Sequence, residues 1–114
     1  MSSEPRMSAE TLRILGVMLE DPLAWQYSLG LSETASVATG TIYPMLARLE
    51  RAGWLESRWE ELGPNDGGRP RRRLYRLTGH GERASMAELE EIAKVAQKVK
   101  RSRSRLSKPQ ERLA

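Results

Sequence analysis

Apolar residues recur every three or four positions through much of this chain, and two shorter stretches alternate instead. From Ser8 to Glu20, Leu12, Leu15 and Leu19 fall at helical spacing with Ile14 and Met18 beside them. Ser8 is placed to cap that helix, and Asp21-Pro22 ends it. Leu23 to Thr34 carries Trp25, Leu29 and, less regularly, Leu31. It reads as a second helix despite Gly30 in its middle. A third helix is defined by Ile42, Met45, Leu46 and Leu49, an apolar stripe that leaves Arg48 and Arg51 elsewhere, and Gly53 stands where a C-terminal glycine cap belongs. Pro44 lacks the N–H that bonds the carbonyl four residues back, so this helix starts near Thr39 to Thr41.

The pattern then changes period. Trp54, Glu56, Arg58 and Glu60 alternate with Leu55, Ser57 and Trp59 as in a strand with one partly buried face, and Arg72 to Leu77 alternates in the same way. Between them, Gly63 to Pro70 is turn chemistry, long for a hairpin and therefore a wing. Thr78 can cap a last helix running to about Arg103, with Met86, Leu89, Ile92, Ala96 and Val99 at three- and four-residue steps. The predicted fold class is mainly α with a two-stranded β wing, a winged helix-turn-helix of three helices, a β-hairpin and a long C-terminal helix. The predicted organisation is a winged helix-turn-helix unit over residues 1–81, a C-terminal helix over 82–103 and a basic, disordered tail over 104–114.

At 114 residues the chain is one domain's worth, and with no Phe and few aromatics its core must come from Leu, Ile, Val, Ala and Met. The formal net charge of +4 favours a polyanionic partner, and its placement matters more than its size. Five arginines lie between Arg69 and Arg76, while Glu82, Glu88, Glu90 and Glu91 crowd the next segment, so positive charge is focused at the wing. The run from Lys98 to Lys108 is basic again and reads as a solvated tail or a second nucleic-acid contact. Absence of cysteine removes disulfides, thiol catalysis and thiolate metal sites. A lone His80 cannot build a histidine metal site, so no metal or cofactor is expected. The longest apolar stretch, Ile14 to Leu19, is far short of the ~20 residues that cross a bilayer, and the chain reads as cytoplasmic.

Gly40-Thr41-Ile42-Tyr43-Pro44, Leu46, Arg48-Leu49-Glu50, Gly53-Trp54-Leu55, Trp59-Glu60, Gly68-Arg69-Pro70-Arg71 and Tyr75-Arg76-Leu77-Thr78 together resemble the PadR family of winged-helix transcriptional regulators. Trp25-Gln26-Tyr27 is similar to the aromatic-rich start of the family's second helix, with Gln26 where the family commonly has glycine. The resemblance implies a two-fold dimer whose N- and C-terminal helices interlock and set two recognition helices one DNA turn apart on a near-palindromic site.

The residues argue for DNA independently. The first turns of the third helix offer Thr39, Thr41 and Tyr43, suited to phosphate and base-edge contacts, with Arg48 further along able to reach backbone oxygens. Arg69 at the Gly-rich tip suits a narrow minor groove, and Arg71, Arg72 and Arg73 suit phosphates. Competing structural roles are packing of Tyr43 against the second helix and pairing of Arg48 with an acid between Glu50 and Glu56. The seam Met86, Leu89, Ile92, Ala96 and Val99, joined by Leu12, Leu15 and Leu19, is expected to pair with another copy; the alternative is packing back on its own monomer.

Some members of the resembled family bind small-molecule effectors in an aromatic cavity, for which Trp25 and Tyr27 are the candidates here. The last helix has no aromatic side chain from Glu82 onward. The expected function is a dimeric, sequence-specific DNA-binding regulator acting as a repressor, and the alternative is a winged-helix protein-interaction or RNA-binding module. No constellation of nucleophile, base and phosphate loop supports an enzyme.

Overall fold

The computed structural model describes residues 5–106. Helix α1 spans Ala9–Leu19 and starts as expected: the Ser8 hydroxyl accepts from the Thr11 N–H at 3.1 Å. Its inner face, Ile14, Leu15 and Met18, is buried.

The second helix is shorter than the periodicity suggested. Gln26–Tyr27 forms a strand, β1, and α2 covers only Ser28–Ala35. Of the residues in the helical pattern, Leu29 is exposed and Leu31 buried; Leu23, at the start of the expected helix, is exposed and Ala35 is buried. Aromatic residues suit extended backbone, and β1 supplies hydrogen-bond partners to a strand that otherwise has an open edge. Ser36 ends α2 in the left-handed region at φ 57°, with the Val37 N–H returning to the Ser32 carbonyl at 2.9 Å. Arg13 of α1 completes this end by donating from Nε to the Ala35 carbonyl at 3.0 Å.

Helix α3, Thr39–Arg51, buries Ile42, Met45, Leu46 and Leu49, the stripe read from the sequence. Its end is a Schellman motif: Gly53, at φ 81°, donates to the Glu50 carbonyl at 3.0 Å and Trp54 to that of Leu49 at 2.9 Å. Strands β2, Leu55–Trp59, and β3, Arg73–Leu77, pair antiparallel from Leu55↔Leu77 to Trp59↔Arg73. With β1 on the other side of β3, the sheet is three-stranded in the order β1-β3-β2, one strand more than the expected hairpin. Leu55, Tyr75 and Leu77 face the core.

Helix α4 spans Gly79–Leu106, about 42 Å at 1.5 Å per residue. Ser104 to Leu106, expected to be frayed, belong to it, and the remainder of the expected tail lies outside the described residues. Its start is locked to the α3–β2 corner. The Thr78 hydroxyl donates to the Gly53 carbonyl at 2.7 Å and accepts from the Gly81 N–H at 2.9 Å. Gly81 lies so close that a Cβ there would sit 1.9 Å from the Trp54 carbonyl oxygen. Among the described residues no helix is long and apolar enough to cross a membrane.

Candidate nucleic-acid interface

Burying one stripe of α3 leaves its opposite face to solvent, and Thr39, Thr41, Tyr43 and Arg48 all lie there. Ala38, the N-cap residue, has no side chain able to accept a hydrogen bond, so the first N–H groups of α3 keep capacity for an outside acceptor such as a phosphate oxygen. Tyr43 is 58% exposed, so it does not pack into the core. Arg48 has no ion pair among the described residues: Glu50 is engaged by Ser57 and Arg73, and Glu56 by Arg76. Both features leave α3 a polar face on which Arg48, like the exposed Arg51, has no ion pair among the described residues.

The β2–β3 connection carries the basic residues to a position beside that helix. Tyr43 of α3, Trp59 of β2 and Arg71, Arg72 and Arg73 border one groove of about 440 Å³, which Tyr27, Ser28 and Leu29 also line. Thr39, Thr41 and Arg48 are exposed on the same helix without lining the groove.

The four wing arginines differ in what they hold. Arg71 is exposed and has no acidic partner among the described residues. Arg73 lies with its guanidinium carbon 5.0 Å from the Trp59 ring centroid and its Nη2 4.0 Å from Glu50 Oε2. Arg72 stacks on Tyr27 at 4.1 Å and donates to Glu60 from Nη2 at 2.8 Å and Nε at 3.2 Å. Arg69, expected to reach outward from the tip, instead folds back to donate to the same carboxylate at 2.8 Å. Hydrogen bonds from Arg72 and then Arg69 hold the Glu60 carboxyl well below the usual carboxylate range. Glu60 entered the sequence pattern only as part of the strand alternation and of the Trp59-Glu60 motif, with no role at the site, because an acid ending a strand looks like any solvated alternation; its position just ahead of a Gly-rich basic loop was a further signal.

Trp25 and Tyr27, the candidate effector contacts, lie on the outer face of the sheet. Arg58 and Arg76 stack on the Trp25 ring at 4.4 and 4.3 Å. Tyr27 lines the groove beside α3, and Trp25 is not among the residues lining it.

The expected association seam is divided. Leu15 is wholly buried in the chain's own core, so it offers nothing to a partner, whereas Leu12 and Leu19 are half-buried. Met86, Ile92, Ala96 and Val99 are exposed on α4, as is Val95, and Leu89 is half-buried. Beyond Leu89 the seam does not pack back on its own monomer. Leu19, Pro22, Met86, Leu89 and Ala93 line an apolar groove of about 370 Å³ between α1 and α4. Among the described residues, no cluster of His, Cys, Asp and Glu could hold a metal ion.

The Transcriptional regulator PadR-like family model matches residues 26–87, more than half of the chain. No curated protein matches it. Among solved structures, a PadR family transcription regulator from hypervirulent Clostridium difficile R20291 is 17% identical with a TM-score of 0.68, covering 82% of this chain and 97% of that one. The structure of smu.1704 from Streptococcus mutans UA159 is 25% identical with a TM-score of 0.65, covering 97% of this chain and 98% of that one. The PcaV transcriptional regulator from Streptomyces coelicolor, crystallised with its natural ligand, is 28% identical with a TM-score of 0.63, over 85% of this chain and 62% of that one.

Proposed function

The chain belongs to the PadR-like family of transcriptional regulators, and we propose that it acts as a dimeric, sequence-specific DNA-binding repressor. The observation that carries this reading is the shared groove: the exposed face of α3 and the arginine wing meet along one edge through Tyr43 and Arg71 to Arg73. In the proposed complex α3 lies in the major groove, with Thr39, Thr41 and Tyr43 near base edges and Arg48 on the backbone. Arg71, Arg72 and Arg73 meet phosphates beside it, and Arg69 reaches them only by leaving Glu60.

Dimerisation is supported by the uncovered stripe of Met86, Ile92, Val95 and Val99, which is costly to leave in water, and by the adjoining apolar groove that can seat a second copy's helix. Two copies would read a near-palindromic operator, and occupancy of a promoter by the dimer would block access to it. The fold also admits small-molecule control, since PcaV was crystallised with its natural ligand. In this chain Tyr27, on the wall of the α3–wing groove, is the better candidate contact than Trp25.

Selection from a random duplex pool, followed by fluorescence anisotropy across a salt series, tests the reading. Enrichment of a two-fold-symmetric site is expected. Arg71→Ala should weaken binding to all sequences and reduce the salt slope by about one, while Thr41→Ala should change preference among sequences. Weak binding with no enrichment, abolished at moderate salt, would overturn it in favour of an interaction or RNA-binding module.

A further inference from the structure

Glu60 stands at the junction of β2 and the wing, where its own N–H donates to the Arg72 carbonyl at 2.9 Å. Its carboxylate accepts from Arg69 Nη1, from Arg72 Nη2 and Nε, and from the Arg72 backbone N–H. The side chain is 16% exposed, against 38% and 41% for the two arginines that cover it. A carboxylate in this position resembles a phosphate to a guanidinium: it has the same sign, similar oxygens and the same two-pronged fit.

The two arginines are not held equally. Arg72 has a second hold besides the acid, its stack on the Tyr27 ring at 4.1 Å. Arg69 is held by Glu60 and by a longer contact to the Pro70 carbonyl at 3.4 Å. It also follows Gly67 and Gly68, both in the left-handed region, which leaves the chain ahead of it little side-chain restraint.

We propose that Glu60 is an intramolecular competitor for DNA phosphate, a specificity-determining residue that withholds Arg69 from sequence-independent binding. Any duplex presents phosphates, but only one that seats α3 and the wing in register brings a phosphate close enough, and long enough, to take Arg69 from the acid. Glu60 therefore lowers affinity for random DNA more than affinity for the operator. This inference rests on the DNA-binding reading above.

The test is a double-mutant cycle on the full chain, using Glu60→Gln, Arg69→Gln and both together, with a random-sequence duplex and the selected site titrated across a salt series. Glutamine keeps the length and one acceptor but removes the charge. Glu60→Gln is expected to bind random duplex about threefold to tenfold more tightly at low salt, with a slope steeper by about one phosphate equivalent, and to discriminate less between random and selected DNA. Arg69→Gln is expected to change random-duplex binding by less than about twofold in the wild type and to remove the whole gain in the Glu60→Gln background. Equal losses from Arg69→Gln in both backgrounds, or weaker binding by Glu60→Gln, would overturn the competition and leave Glu60 as a support for the loop. Failure of every variant and the wild type to bind duplex at low salt would overturn the DNA-binding reading itself.

Discussion

Replacing Gly81 with alanine tests whether the long helix is truly locked to the α3–β2 corner. The added Cβ would lie 1.9 Å from the Trp54 carbonyl oxygen and 2.7 and 2.8 Å from two backbone carbons of the same residue, where ordinary contact begins at 3.4 Å. No flexible side chain can yield, so α4 must retreat by about 1.5 Å. That movement strains the Gly81 N–H bond to Thr78, the Thr78 hydroxyl bond to Gly53 and the Thr78 N–H bond to Trp54, at 2.9, 2.7 and 3.0 Å. Losing two of these costs about 2 kcal/mol and overpacking about 1–3 kcal/mol more, while the better helix propensity of alanine returns about 1 kcal/mol.

A net loss near 3 kcal/mol corresponds to a fall in melting temperature of about 10–20 °C for a domain of this size. Thermal unfolding followed by circular dichroism at one fixed protein concentration measures it, since association alters apparent stability. Gly79→Ala is the matched control. Its Cβ would meet only the flexible end of Arg83 at 3.4 Å, so its stability should match or exceed wild type. Unfolding of Gly81→Ala within about 2 °C of wild type would refute the reasoning, because that shift is worth less than about 0.5 kcal/mol.

Ser36→Gly should stabilise the chain by up to about 1 kcal/mol, read from urea unfolding, because serine pays a steric penalty at φ 57° that glycine does not. Arg13→Ala should cost about 1 kcal/mol in the same assay by removing a cationic cap from the end of α2. Leu89→Glu or Ile92→Glu should give a monomer in sedimentation velocity with helical content retained, and a persistent dimer would move the interface off α4.

Periodicity decided much of this protein before any tertiary contact was considered. The stripe of Ile42, Met45, Leu46 and Leu49, the glycine cap at Gly53, the Ser8 and Thr78 caps and the two wing strands all follow from interactions within a few residues, where side-chain spacing and capping chemistry suffice. The arginine-rich wing was legible for the same reason, as local composition. What the tertiary structure decided was partnership between distant segments. Trp25 to Tyr27 carries a helix-like pattern, yet the open edge of β3 draws Gln26 and Tyr27 into a strand. Leu15 and Leu12 look alike in sequence, and only the packing of α1 against α2, α4 and β3 buries one completely and leaves the other at the margin. Most of all, the sequence counts arginines without saying which are already engaged. Glu60, Glu50, Tyr27 and Trp59 reach Arg69, Arg72 and Arg73 across chain separations that no local rule spans, and Arg71 is left exposed without an acidic partner among the described residues. Electrostatic competition acts through space, so the charge available to a partner is a property of the fold.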